Sequence, residues 1–173
     1  MSEPINHLKQ RMTVISNYRS KPRRMLLAIG VTALVGLCTT LQTKRVYADQ
    51  ATNAKNAAIE AMNAWLLEVD QGQYEKSWQD AAKSFQQAVT VTQWQADVKS
   101  ARQPLGECTS RKLVSALQQT DPRSNGQVLK GEFVIAQFDT SFANLKYAVE
   151  TVTFQKESDG SWKAAGYYIK PGK

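Results

Sequence analysis

The chain has 173 residues with 22 Lys and Arg, 15 Asp and Glu, two cysteines and one histidine. Its formal charge of +7 is uneven, because eight of the bases and one of the acids precede residue 49, which leaves 14 of each from there on. A neutral remainder without a basic cluster excludes a nucleic-acid-binding face. The single histidine, His7, lies in the leader. Residues 49–173 therefore have no histidine for a metal site, a Ser-His-Asp triad or a Cys-His pair.

The first 48 residues read as an export leader. Lys21, Arg23 and Arg24 precede Met25–Cys38, fourteen residues without charge, and Val46-Tyr47-Ala48 offers small residues before a cut at Asp49. That order is n-region, h-region and cleavage site. The uncharged stretch continues to Thr43, nineteen residues in all, so an uncleaved membrane anchor is the alternative, against a span of roughly 20 residues. The polar Thr39, Thr40, Gln42 and Thr43 favour the signal. Cys38 suggests lipidation, but Leu37 stands where a small residue is needed. Met12 is an alternative start. The basic flank stays inside, so 49–173 is expected outside the cytoplasm, in the periplasm or tethered to the inner membrane through residues 25–43.

Residues 50–105 have helical periodicity. Ala54, Ala58, Ala61, Met62, Trp65, Leu66 and Val69 form one apolar stripe, and Asn53, Lys55, Asn56, Glu60 and Asn63 fall on the wet side. Gly72 stops this helix. A second helix carries Tyr74, Ser77, Trp78, Ala81 and Phe85 on one face. A third starts at Thr90, with Gln93 in a capping-box position. Its stripe is Val91, Trp94, Val98, Ala101 and Leu105, and Pro104 and Gly106 end it.

The period then changes to that of strands. Arg111–Gln118 places Leu113, Ser115 and Leu117 on one side and Val114 and Ala116 on the other. A turn-rich stretch, Asp121 to Gly126, follows. Gln127–Phe138, Leu145–Lys156 and Trp162–Ile169 are the next three strands, with a hairpin turn at Asp159-Gly160. Three helices before a four-stranded meander predict an α+β domain over 49–173, with the helices on one face of an antiparallel sheet. Cys108 is the only cysteine beyond the leader, so the core must hold this domain without an internal disulfide. Arg111 and Lys112 would lower the Cys108 pKa if they approached it; otherwise it is a half-buried structural thiol.

The residues that carry this pattern also resemble a known family. They are Trp65, Asp70-x-Gly72-x-Tyr74-x-x-Ser77-Trp78, Phe85, Trp94, Arg102-x-x-Leu105-Gly106 and Arg111. The pattern continues with Gly131-Glu132-Phe133, Phe138 to Phe142, Glu150-Thr151 and Asp159 to Tyr168. Over about residues 55–170 the chain resembles the exported bacterial family known as domain of unknown function 4019. The resemblance implies a cystatin-like, nuclear-transport-factor-type cone, in which a curved sheet wraps a long helix. It implies no activity, cofactor or catalytic residue.

Few side chains stand out as site candidates. Glu150 shares a strand face with Ala148, Val152 and Phe154 and should point inward, where a carboxylate needs a partner; Arg102 and Arg111 are the candidates. Trp65, Trp78, Trp94 and Trp162 should fill the core with each indole N–H satisfied. Alternatively Trp78 and Trp94, with Arg102, Arg111, Glu150 and Tyr167, line a pocket in the concavity of the sheet. The expected function is a non-catalytic envelope module that binds a small apolar ligand, a peptide or a partner protein, with no cofactor, metal or catalytic residue. The alternative is a small metal-free enzyme that transfers protons with a carboxylate and a tyrosine. Glu150 with Tyr167 or Tyr147 is the only such set, and Tyr147 should fall on the opposite face.

Overall fold

A computed structural model describes residues 37–172 except 125, with side chains from residue 49 onwards. The basic patch and most of the Met25–Cys38 run lie outside the described residues. Among the described residues no helix is long and apolar enough to cross a membrane.

Helix α1 (Leu37–Asp70) has 34 residues, a rod about 50 Å long. It begins well before the expected start near residue 50 and runs unbroken through residues 46–48. The expected stripe packs on the sheet: Ala58, Met62, Trp65, Leu66 and Val69 are buried, with Ala54 and Ala61 at the margin. Gly72 ends α1 with φ +72°. The Gly72 N–H donates to Val69 O at 3.1 Å and the Gln73 N–H to Glu68 O at 2.9 Å, the paired bonds of a Schellman cap.

The second helix is interrupted, contrary to expectation. It forms α2 (Tyr74–Gln79) and α3 (Lys83–Ala88). Ala82 is extended, with ψ 149°. Its N–H donates at 2.8 Å to Ala164 O on the sheet instead of continuing the helical ladder. Helix α4 (Val91–Arg102) has the expected capping box at Thr90 and Gln93, and a 3₁₀ turn, Gln103–Leu105, closes it.

The strands are β1 (Cys108–Thr120), β2 (Arg123–Ser124), β3 (Gln127–Val128), β4 (Glu132–Phe142), β5 (Leu145–Lys156) and β6 (Trp162–Pro171). The main sheet has the antiparallel order β1-β4-β5-β6, and β2-β3 is a separate small ribbon. The expected strand Gln127–Phe138 is therefore two strands. Gly131, with φ +118°, breaks it, and Asp121 captures the Gly131 N–H at 2.8 Å. A register shift between Leu113 and Ser115 leaves Val114 without a partner in β4. This bulge turns the strand by one residue. Leu113 pairs with Phe138 on the helix-covered face, whereas Leu117 pairs with Ile135 on the open face. The expectation that Leu113 and Leu117 share a face is thereby corrected.

The space between helices and sheet is filled by Met62, Trp65, Leu66, Trp94, Phe138, Phe154 and Tyr167. Trp65, Phe85, Trp94 and Tyr167 contact one another edge to face or tilted, with centroids 5.2–6.2 Å apart. Ser77 is the polar hub of this layer. Its carbonyl accepts from Trp65 Nε1 at 2.7 Å, and its hydroxyl accepts from Trp94 Nε1 at 3.0 Å while donating to Tyr74 O at 2.9 Å.

Candidate functional site

At one end of this core the apolar filling gives way to four charged side chains. The buried stripe of α4 runs Trp94, Val98, Arg102, so its next inward position holds a guanidinium where an apolar residue would be expected. A cation in the last turn also complements the helix dipole. Glu150 faces inward from the middle of β5, opposite Phe138 in β4 and Ile169 in β6. Arg111 reaches in from β1, where it pairs with Thr140. Asp70 is the last residue of α1.

These groups form one closed network. Glu150 Oε1 accepts from Arg102 Nη1 at 2.8 Å and from the Tyr167 hydroxyl at 2.5 Å. Glu150 Oε2 accepts from Arg111 Nε and from the Thr140 hydroxyl, each at 2.6 Å. Arg111 grips Asp70 with both terminal nitrogens, at 2.7 and 2.9 Å, a bidentate pair. Arg102 Nη2 also donates to Asp70, and the Phe142 ring lies 4.5 Å from the Arg102 guanidinium carbon. Two cations and two anions cancel, the condition for burying any of them. Glu150 is fully enclosed and Arg102 is 5 % exposed, whereas Arg111 and Asp70 sit nearer the surface.

The environment favours the charged forms of Asp70 and Arg111 and the neutral forms of Tyr167 and Cys108. Burial pushes the Asp70 carboxyl up, but the hydrogen bond and charge of Arg111, with those of Arg102, outweigh it and hold Asp70 below the usual carboxylate range. Burial works against the charged form of Arg111, and the bonds to Asp70 and Glu150 more than reverse that. Burial, then the charge of Glu150, drives the Tyr167 hydroxyl well above its ordinary value. Burial also raises the Cys108 thiol, with Arg111 opposing only in part. Cys108 is half-buried, as a structural thiol would be.

The expectation of Arg102 or Arg111 for Glu150 resolves as both. Tyr167 joins them, and Trp94 backs onto the Tyr167 ring at 6.2 Å. Trp94 is wholly enclosed. Trp78 is half-buried and bonds its indole N–H to Val89 O at 2.7 Å; it stands apart from the network. Tyr147 is 72 % exposed, on the face opposite Glu150. Sequence reasoning missed Asp70 and Thr140. One signal was available for Asp70: two arginines against Glu150 alone leave an uncompensated positive charge, so a second acid is required.

The network opens at Asp70 and Arg111 onto a groove of about 360 Å³ between α1 and β1, lined also by Asn63, Leu67, Leu113 and Phe138. A larger open hollow of about 930 Å³ lies elsewhere, between the end of α1, α2 and α4. Its Lys76 is already held between Glu68 and Asp80. Among the described residues no cluster of Cys, His, Asp and Glu could hold a metal ion.

No curated protein and no solved structure matches the chain. A family model described as Protein of unknown function (DUF4019) matches residues 61–167, a segment that contains all six members of the network. With more than half of its length matched, from the last turns of α1 to Tyr167, the chain belongs to the DUF4019 family.

Proposed function

We propose that residues 49–173 form a non-catalytic binding module that works outside the cytoplasm, has a cystatin-like cone architecture and takes a protein partner along β1. One observation carries this reading. Among the described residues, four of the large apolar side chains left exposed, Leu67, Leu113, Val114 and Leu117, lie along the β1 edge or the groove beside it. Apolar surface gathered in this way marks an interaction site.

The other readings find less support. A small apolar ligand needs room between helices and sheet, and aromatic and aliphatic side chains occupy that space. Proton transfer needs a carboxylate with a free oxygen. Both oxygens of Glu150 are taken, each by two donors. This favours reading Glu150 with Tyr167 as a structural tie between β5 and β6, joined to α4 through Arg102.

Photo-crosslinking in intact cells tests the proposal. A benzophenone amino acid replaces Leu117 in the full chain, with Lys170 on the far edge as the control position. A covalent protein adduct from position 117 and none from position 170 supports it. No adduct from position 117 overturns it.

A further inference from the structure

The two edges of the main sheet are treated differently. At the β6 edge, the Ala82 N–H is bonded to Ala164 O, and the strand ends in exposed Lys170 and Pro171. Lysine, proline and a covering segment are the usual guards of a sheet edge. The β1 edge has no covering segment and no proline; its guards are Lys112 near its start and the bulge at Val114. None of its 13 residues is buried, and Leu113 to Thr120 contains neither a charge nor a proline. Its flanks are apolar on both faces: Leu113 with Leu67 above the groove on the helix side, Leu117 on the open side. An uncovered strand whose middle is uncharged is a template for another strand.

We infer that the occupant of the β1 edge is β1 of a second copy of this chain, paired antiparallel about a two-fold axis near Ser115. This rests on the binding-module reading and names its partner. The charge pattern of β1 suits such a pairing. The exposed cation of the strand, Lys112, sits near its start, since Arg111 is compensated by Asp70 and Glu150, and Asp121, held by Lys130, follows its end. Antiparallel pairing brings the basic end of each copy beside the Thr120-Asp121 end of the other. The uncharged residues 113–120 meet in the middle. No like charges face each other, a condition that pairing between strands demands. Parallel pairing would place cation on cation. The two-fold contact closes on itself, so it covers both β1 edges and stops at a dimer with one continuous eight-stranded sheet.

Three measurements on the full chain, as isolated from cells, test the inference. The first is Ser115→Cys in a Cys38→Ser, Cys108→Ser background. An axis near Ser115 places the two thiols together, so mild oxidation should link most of the protein into a dimer. Lys170→Cys in the same background should give none. The second is sedimentation of Val114→Lys and Leu117→Lys, which place two cations at the axis and should weaken the dimer about tenfold or more. Lys170→Glu should leave it unchanged. If a lysine variant melts early, the cysteine result decides. A wild-type monomer at every concentration, or a dimer indifferent to the edge lysines, overturns the inference. The third is the mass of the adduct from position 117 in cells. Twice the mass of the chain supports the second copy. Another mass alone overturns the second copy but upholds the binding module, and no adduct overturns both.

Discussion

Glu150 in the middle of β5 and Arg102 in the last turn of α4 are 48 residues apart in sequence and 2.8 Å apart in space, and both are enclosed. Their contact ties the helical layer to the centre of the sheet. Arg111 and Asp70 extend the tie to β1 and to the end of α1. Four separate segments of the chain therefore converge on one neutral cluster.

Replacing Glu150 by Gln keeps the shape but leaves two guanidiniums facing one carboxylate. Breaking a buried pair in this way costs on the order of 3–5 kcal/mol. Urea denaturation of the variant should show that loss. If stability rose instead, Glu150 would be held at a cost, which points to a functional carboxylate.

The lowered Asp70 pKa gives a signed pH dependence. Its contribution is complete above the unfolded value, near 3.8, and is lost as pH falls through the lower folded value. Asp70→Asn should be less stable than wild type at neutral pH, and the gap should narrow below about pH 4. Chemical melts across the acid range measure this. Parallel curves throughout would show that Asp70 is not an acid-sensitive part of the tie.

Tyr167 acts at the other end of the scale. Its folded pKa lies above the ordinary 10.0, so its contribution holds below that value and is lost as pH rises through and beyond it. Tyr167→Phe has no proton to lose there. Between about pH 9 and 11 the variant should lose less stability than wild type. An equal alkaline slope in both proteins would exclude Tyr167 as the source.

Ser77→Ala removes the acceptor of Trp94 Nε1 inside the core. A buried donor left unsatisfied costs about 1–3 kcal/mol. Thermal melts should show a clear fall. A change within about 0.5 kcal/mol, as at a surface position, would mean that the indole finds another partner.

For the exported reading, N-terminal sequencing of protein from cells should begin at Asp49. The first described side chain that packs against the core is Ala54, so a cut there leaves the described packing intact. An intact residue 1 or 12 in a membrane fraction would indicate an anchor instead.

The amino-acid sequence alone determined the faces. The α1 stripe, the inward direction of Glu150 and the outward direction of Tyr147 follow from local periods of 3.6 and 2, which report which side of an element avoids water, and the cap at Thr90 from the Thr-to-Gln93 spacing. Those periods end where long-range contacts intervene. The apolar spacing from Tyr74 to Phe85 is continuous, yet the helix breaks because Ala82 donates to Ala164, a carbonyl 82 residues away. The bulge at Val114 inverts the faces beyond it because β1 must align with β4. Charge balance called for a second acid beside Arg102 and Arg111, but not for Asp70 in particular, because a helix end, a second helix and a strand meet only after α1 docks on the sheet. Burial then decides the rest: once Glu150 has left water, it and the arginines require neutral, hydrogen-bonded company, and only the tertiary structure determines which residues stand close enough to provide it.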